Sequence, residues 1–315
     1  MALDPESQRL IDLMAAANRP AWNTLSPQAA RELYLALRPA AQGPVPDGVS
    51  VANRTIAGKD GHRIPVRLYR PDKASAEARL PALLYAHGGG WLFGNLDSHD
   101  VICAQLAIEA GIAVLAVDYR LAPETRFPGA FDDVVSGLQW LAAHGPSIGV
   151  DPNRLAIGGD SAGGNLAAAV AIWARDTKGP KLRMQLLAYP VTDMVARGDS
   201  YRHFEDGYGL NAATMEWFMD HYVPEKKTRD DWRASPLLHP DLSRLPPALV
   251  LTAGFDPLRD EGFEYANRLV AAGNRATYVC FERQIHGFIT MGKVIDEANA
   301  AVTLCAGELA RVLAR

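Results

Sequence analysis

The sequence has few cysteines, no long apolar run and no excess of basic charge, and each absence excludes a class of protein. The 315 residues include three cysteines, Cys103, Cys280 and Cys305, which are too few and too scattered for a disulfide framework or a clustered metal site. No run approaches the roughly 18 apolar residues of a membrane-spanning helix. The net charge of −4 favours neither nucleic acid nor an anionic membrane. We therefore expect no metal, no nucleic-acid partner and no membrane span.

The composition is that of an ordinary globular protein. Apolar residues make up 48% and charged residues 22% of the chain, enough to build a sizeable core. The first ten residues, MALDPESQRL, lack the basic flank and apolar stretch of a signal peptide, so we expect a cytoplasmic location. No internal repeat or low-complexity segment stands out.

From about residue 50 onward, short apolar runs alternate with amphipathic stretches. The alternation predicts strands at 64–69, 82–86, 112–117, 155–157, 182–188, 248–252 and 276–281. It predicts helices between them at 100–109, 131–144, 165–175 and 257–272. Apolar strands separated by helices indicate an α/β fold with a mostly parallel central sheet flanked by helices. Functional residues of such sheets lie at the carboxyl ends of the strands.

Two segments do not follow this alternation. Residues 1–45 contain two helical patterns, and residues 191–235 contain one at 212–222 with little strand character before it. We expect both segments to form a helical cap over the carboxyl edge of the sheet. The α/β domain would then consist of residues 46–190 and 236–315.

A single serine, Ser161, lies between a predicted strand and a predicted helix. The segment 159–163, GDSAG, matches G-x-S-x-G, in which glycines two residues either side of the serine permit a sharp turn. Such a turn would expose the Ser161 hydroxyl at the positive end of the helix. A structural turn and a phosphate cradle are the alternatives. A cradle needs a Walker-type lysine or a G-x-G-x-x-G fingerprint, and neither occurs, so Ser161 is the candidate nucleophile.

Three consecutive glycines follow the predicted strand at 82–86, within the sequence HGGGW at 87–91. Their backbone N–H groups are unobstructed by side chains and could bind a small anion. Acyl transfer needs such donors because negative charge develops on the carbonyl oxygen. A flexible linker is the alternative, but it would not hold a histidine and a tryptophan so close to the glycines. We predict an oxyanion hole formed by Gly88, Gly89 and Ala162, and an orienting role for His87.

The candidate base and acid follow the serine along the chain. Among the histidines after Ser161, only His286 follows a predicted strand, and the others lie in or near the expected cap, at His203, His221 and His239. Asp256 ends the preceding strand, at the matching edge position. The competing carboxylates lie inside the following helix or too close to His286 along the chain: Asp260, Glu261 and Glu282. The chain order serine, acid, histidine indicates a triad of Ser161, Asp256 and His286.

The motifs that accompany these residues are HGGGW at 87–91, YRLAPE at 119–124, GDSAGG at 159–164, DPLRDEG at 256–262 and HGF at 286–288. In this order they resemble the hormone-sensitive-lipase-like carboxylesterases (family IV, GDSAG type) of the α/β-hydrolase superfamily. The resemblance implies the α/β-hydrolase fold with a helical cap. It also implies hydrolysis of small-molecule esters with short to medium acyl chains through an acyl-enzyme, with no cofactor. A homodimer joined along an edge strand or a late helix is a further implication.

The same resemblance leaves two alternatives open. Relatives with similar motifs include arylacetamide deacetylases, so an amide-type deacetylase is one alternative. The plant gibberellin receptor resembles the family but lacks the catalytic histidine, so a non-catalytic protein that binds a small ligand is the other, although His286 is present here. We expect two further motif carboxylates, Glu124 and Asp160, to brace loops by hydrogen bonds rather than take part in the chemistry.

Overall fold

In the computed structural model, which describes residues 2–314, a single eight-stranded sheet forms the centre of the protein. Its strands are β1 (Val49–Ala57), β2 (Arg63–Pro71), β3 (Leu80–Ala86), β4 (Ala113–Val117), β5 (Val150–Asp160), β6 (Leu182–Ala188), β7 (Ala248–Phe255) and β8 (Ala276–Ile285). They lie in the order β1-β2-β4-β3-β5-β6-β7-β8. The pairs β1–β2 and β2–β4 are antiparallel, and all other neighbours are parallel. The predicted mostly parallel sheet is confirmed.

Helices cover both faces of the sheet. They are α1 (Pro5–Ala16), α2 (Pro27–Gln42), α3 (Asp100–Ala110), α4 (Gly129–His144), α5 (Ala162–Asp176), α6 (Asp199–His203), α7 (Ala212–Tyr222), α8 (Arg259–Ala271) and α9 (Asp296–Leu313). Alternate side chains of β3 point to opposite faces: Leu84 packs in the core with α4, α5 and α8, whereas Leu83 packs in the core with α3 and α9. Two hydrophobic cores therefore fix the sheet between two helical layers.

Besides the five-residue helix α6, two elements were not predicted from the sequence. β1 has only one fully buried residue, Ile56, because it is an edge strand that pairs with β2 alone. Its sequence therefore lacks the apolar run that marks a buried strand. The other missed element is α9, whose buried positions recur every three or four residues, including Ala298, Val302, Cys305 and Leu309. That helical period was available in the sequence and would have revealed α9.

The two segments outside the strand–helix alternation meet over the loop that follows β3. Phe93 of that loop packs against Trp22 and Tyr34 from the amino-terminal segment, with ring centroids 5.1 and 4.7 Å away. Phe218 of α7 packs on the same ring at 5.2 Å. Aromatic contacts therefore place these helices above the glycine-rich loop, while the division into cap and α/β domain stays a prediction. Among the helices of residues 2–314, none combines the length and apolar character needed to cross a bilayer.

Candidate active site

Ser161 lies in a sharp turn between β5 and α5. Its backbone has φ of 55° and ψ of −118°, a conformation that costs a non-glycine residue about 1–3 kcal/mol. The last carbonyl of β3 lies against this turn: a Cβ at Gly159 would stand 2.3 Å from the Ala86 oxygen, and one at Gly163 would stand 2.0 Å from it. Only glycine fits at either position. The predicted elbow is therefore present, and it presents the Ser161 side chain at the carboxyl edge of the sheet.

The pairing of β7 with β8 brings Asp256 beside His286. Phe255 and Ile285, the last residues of β7 and β8, are paired after an irregularity in the register. Asp256 and His286 follow directly after these two residues. His286 Nδ1 lies 2.7 Å from Asp256 Oδ2. The buried Asp256 uses its other oxygen to accept the Leu258 N–H at 2.9 Å. The carboxylate is thus held from both sides and fixes the orientation of the imidazole.

The third contact joins His286 to Ser161. His286 Nε2 lies 2.9 Å from Ser161 Oγ. Because Nδ1–H donates to the Asp256 carboxylate, Nε2 carries the lone pair and accepts the serine proton. The ring of Tyr189 lies against the imidazole, with centroids 4.6 Å apart. The three predicted residues come from separate loops and meet in the geometry of a nucleophile, a general base and its orienting acid.

The backbone N–H groups of the glycine loop do not all face this serine. The Gly88 N–H donates to Asp160 Oδ1 at 3.0 Å. This N–H is therefore not free to bind an oxyanion, and the prediction of Gly88 as an oxyanion donor is wrong. Across residues 2–314, the N–H groups of Gly89, Gly90 and Ala162 donate no hydrogen bond to a loop, turn or cap carbonyl. Gly89 has φ of 121°, which L residues rarely adopt. This turn leaves two consecutive loop N–H groups available, those of Gly89 and Gly90.

Asp160, the residue before Ser161, braces the glycine loop through hydrogen bonds. It accepts hydrogen bonds from Tyr85 Oη at 2.8 Å and from Gly88, and His99 Nε2 lies 3.2 Å from Oδ1. Burial alone would raise the pKa of Asp160, but the interactions with His99 and Tyr85 outweigh burial and lower the pKa to about 2. Asp160 is therefore a carboxylate at neutral pH and has the bracing role expected of it. His99 could not be predicted from the sequence, because no motif marks it.

Glu124 braces the same loop through α2. It accepts two hydrogen bonds from Arg31, at 2.9 and 2.6 Å, and these lower its pKa. Arg31 also donates to the carbonyls of Leu92 and Ala122, at 2.7 and 2.6 Å. One guanidinium of the amino-terminal segment therefore joins the glycine loop to the YRLAPE motif. The partner of Glu124 could not be found from the sequence, because Arg31 belongs to a segment without a diagnostic motif.

His87 contacts the glycine loop and Tyr119. Its Nδ1 lies 2.8 Å from the Gly88 oxygen, and its ring stacks on Tyr119 with centroids 4.2 Å apart. Burial and the neighbouring His99 lower the pKa of His87 to about 3, so it is neutral at physiological pH. A neutral stacked imidazole orients the loop and does not act as a base. Within residues 2–314, no three His, Cys, Asp or Glu side chains are grouped so that they could hold a metal ion.

A mostly parallel sheet with a serine at a strand–turn–helix corner defines the α/β-hydrolase class of proteins. A family model described as the alpha/beta hydrolase fold matches residues 83–290. Ethyl acetate hydrolase of Pseudomonas putida is 38% identical over 96% of this chain and 97% of its own. A carboxylesterase of Mycobacterium tuberculosis is 39% identical over 84% of this chain and 83% of its own.

Two solved structures extend the similarity to the whole fold. An ester hydrolase from the metagenome of Lake Arreo is 41% identical, covers 98% of both chains and has a TM-score of 0.94. A thermostable esterase from Pseudomonas putida is 36% identical, covers 99% of this chain and 98% of its own, and has a TM-score of 0.95. The chain belongs to the α/β-hydrolase family, in its hormone-sensitive-lipase-like branch, and the predicted resemblance is confirmed.

Proposed function

We propose that this protein is a serine carboxylesterase that hydrolyses small-molecule esters with short to medium acyl chains. The observation that carries the proposal is the pair of contacts made by His286, 2.9 Å to Ser161 Oγ and 2.7 Å to Asp256 Oδ2. The names of the relatives support it, since they include an ethyl acetate hydrolase and carboxylesterases. Ethyl acetate is a short ester, which favours the short end of the acyl range.

The reaction has two steps. Ser161 Oγ attacks the ester carbonyl while His286 Nε2 takes its proton, and Asp256 stabilises the resulting imidazolium. The ester C–O bond then breaks, the departing alcohol takes the proton from His286, and the acyl group stays on Ser161. Water attacks the acyl-enzyme in the second step, giving its proton to His286. The acid is released and Ser161 Oγ recovers the proton.

The oxyanion of each tetrahedral intermediate binds to the backbone donors of Gly89, Gly90 and Ala162. Gly89 and Ala162 keep the roles predicted from the sequence, and Gly90 replaces Gly88, whose N–H is bound to Asp160. The amino end of α5 adds its partial positive charge at Ala162. Donors fixed by the fold need no reorganisation when charge develops, and one such donor contributes about 2.7–4 kcal/mol to lowering the barrier.

Helix α7 supports an esterase over an interfacial lipase for long-chain triglycerides. Its apolar side chains Met215, Phe218 and Met219 are at most 4% exposed, so they belong to the core. Glu216 and Asp220 lie on its outer side and pair with the buried Arg229. A lid for a lipid surface would instead expose an apolar face.

A graded ester assay tests the proposal. We expect hydrolysis of p-nitrophenyl esters to peak at short or medium acyl length and to fall by about 10⁶ in kcat in Ser161→Ala. Asp256→Asn keeps the nucleophile and should lose less, about 10⁴. Ser147→Ala, at an exposed serine that bonds only the His144 carbonyl, is the matched control and should keep full activity.

The assay also separates the proposal from its alternatives. Turnover of p-nitroacetanilide without turnover of esters would make the protein an amide-type deacetylase. A folded protein that turns over neither substrate would be a binding protein. Activity that survives Ser161→Ala would remove Ser161 from the mechanism. The cytoplasmic location and the homodimer expected from the sequence belong to the same proposal.

A further inference from the structure

Hydrogen bonds between side chains join the end of β8 to helices α1 and α9, through the buried Ser7 and Gln284 and the exposed Glu297. Ser7 Oγ donates to Gln284 Oε1 at 2.7 Å, and Gln284 Nε2 donates to Glu297 Oε2 at 2.6 Å. Ser7 and Gln284 are completely buried. Gln284 stands two residues before His286. The proposed chemistry does not use these hydrogen bonds, although their central residue, Gln284, lies two residues from the proposed base.

These two hydrogen bonds hold the Gln284 amide in one orientation. The Glu297 carboxylate only accepts hydrogen bonds, so the NH₂ group of Gln284 must face it, and the oxygen of Gln284 then faces the Ser7 hydroxyl. A buried amide that loses a partner is strongly disfavoured, because water cannot replace the missing hydrogen bond. Each of the three side chains therefore fixes its neighbour.

Polar contacts also define where α1 lies. Asp4 N–H donates to the Arg283 carbonyl at 2.9 Å, and Glu6 Oε2 accepts the Asp296 N–H at the start of α9, at 2.7 Å. Ser7 is the one buried residue of α1, whereas Leu13 is 68% exposed. Leu10 of α1 packs in part against the core, and the hydrogen bonds to the end of β8 and the start of α9 add to this contact in fixing the helix.

The end of β8 in turn sets the position of His286. Ile285 pairs with Phe255 of β7, and this pairing places His286 Nδ1 2.7 Å from Asp256. Gln284 precedes that pair and anchors the strand from the side of α1. A shift of the backbone at Gln284 would move the imidazole relative to both Ser161 and Asp256. Misplacement by about 1 Å can cost a factor of about 10² in rate.

We propose that α1 positions His286 through Ser7 and Gln284, so that these two buried side chains are positioning residues for the reaction. The inference rests on the proposed esterase function. It implies that the amino-terminal helix affects the chemical step through the base. Loss of the hydrogen bonds that link Ser7, Gln284 and Glu297 should therefore lower kcat and leave KM nearly unchanged.

The experiment compares Ser7→Ala and Gln284→Met with wild type, using p-nitrophenyl butyrate. We expect kcat to fall roughly 10- to 100-fold with KM within about twofold, because the base is displaced while the substrate pocket is intact. Ser7→Thr keeps the hydroxyl and should restore most of kcat. Gln8→Ala is the matched control: Gln8 is the next residue of α1, and its side chain bonds only the exposed Asp12.

A second readout does not depend on turnover. The proton on His286 Nδ1 in the hydrogen bond to Asp256 gives a low-field ¹H resonance, which we expect to shift or broaden in Ser7→Ala and to stay unchanged in Gln8→Ala. If Gln284→Met fails to fold, Ser7→Ala still tests the inference, because this substitution removes only one oxygen atom.

Three results would overturn the inference. They are an unchanged kcat and resonance in Ser7→Ala, an equal loss in Ser7→Ala and Gln8→Ala, and a change confined to KM. A wild-type protein that hydrolyses no ester would overturn the proposed function instead. In that case the resonance still tests whether Ser7 positions His286.

Discussion

At the residue scale, three of the six non-glycine residues with positive φ within residues 2–314 lie around the candidate site. Positive φ angles occur at Ser161 (55°), at Trp91 (59°), which follows the glycine loop, and at Tyr189 (35°), whose ring packs against His286. Each conformation is unfavourable for a side chain larger than hydrogen, and it persists only where the surroundings impose it. The sheet edge therefore stores strain where a nucleophile and its donors must be held ready.

The brace at Asp160 leads to a prediction at the same scale. Asp160→Asn keeps the shape of the side chain but removes the charge that faces His99, and one amide hydrogen must then face a donor. We expect a loss of about 1–3 kcal/mol in the free energy of unfolding. We also expect kcat to fall by up to about 10², because the glycine loop is no longer fixed. Urea unfolding and ester kinetics measure the two effects.

The control for this prediction is Asp151→Asn. Asp151 lies at the other end of β5, where it is partly exposed and pairs with Arg154. The same change there should leave kcat at the wild-type value, since surface ion pairs contribute little. Equal losses in the two variants would contradict a specific role for Asp160.

At the element scale, most elements with a local pattern were predicted, α9 being the exception, whereas contacts between distant residues were missed. The buried strands were marked by apolar runs, and the loops after β3, β5, β7 and β8 by their polar residues. The exposed edge strand β1 carried no such mark. The sequence could not tell which loop N–H groups are free, because Gly88 is bound by Asp160, 72 residues further along the chain.

Glu261 joins α8 to the loop after β6 and gives a prediction for pH. Its Oε1 accepts the Thr192 N–H at 2.7 Å and lies 3.4 Å from the Asp193 nitrogen, while no donor within residues 2–314 reaches Oε2. Burial raises the pKa of Glu261 to about 8, although these backbone donors partly oppose the rise. The nearby charges are Asp193, which raises the pKa, and Arg197, which lowers it.

The sign of the pH effect follows from proton binding. Between the unfolded pKa of about 4.3 and the folded pKa of about 8, the folded protein holds a proton that the unfolded chain has lost. This contribution to stability is fully present below about pH 4 and is lost as the pH rises through 8, by at most about 1.4 kcal/mol per pH unit. Glu261→Gln removes the titration.

Urea unfolding at pH 5, 7 and 9 measures this effect. We expect Glu261→Gln to gain stability relative to wild type as the pH rises, with the largest difference at pH 9. Glu264→Gln changes an exposed carboxylate of the same helix and should show no such trend. A difference between Glu261→Gln and wild type that stays constant across the three pH values would show that Glu261 does not titrate in this range.

At the scale of the whole molecule, β8 forms one of the two edges of the sheet. Within residues 2–314, β8 pairs with no strand except β7, and the Arg283 carbonyl near its end accepts the Asp4 N–H, so the rest of its outer edge is where another strand could bind. The helix beside it, α8, exposes Phe263 and Val270, which are 47% and 55% exposed. Phe263 packs edge-on against Tyr278 of β8, with centroids 5.0 Å apart. The open edge and the apolar helix surface therefore form one continuous patch.

This patch supports the homodimer expected from the sequence, because a two-fold axis beside β8 would pair the two edges antiparallel and bury Phe263 in both copies. We expect light scattering to give a dimer for wild type and a monomer for Phe263→Glu, since a carboxylate in the buried centre of an interface would lack a partner. Leu13→Glu makes the same change at an exposed residue of α1 and should stay dimeric. A monomeric wild type at micromolar concentration, or a dimer that persists in Phe263→Glu, would show that this edge does not form the interface.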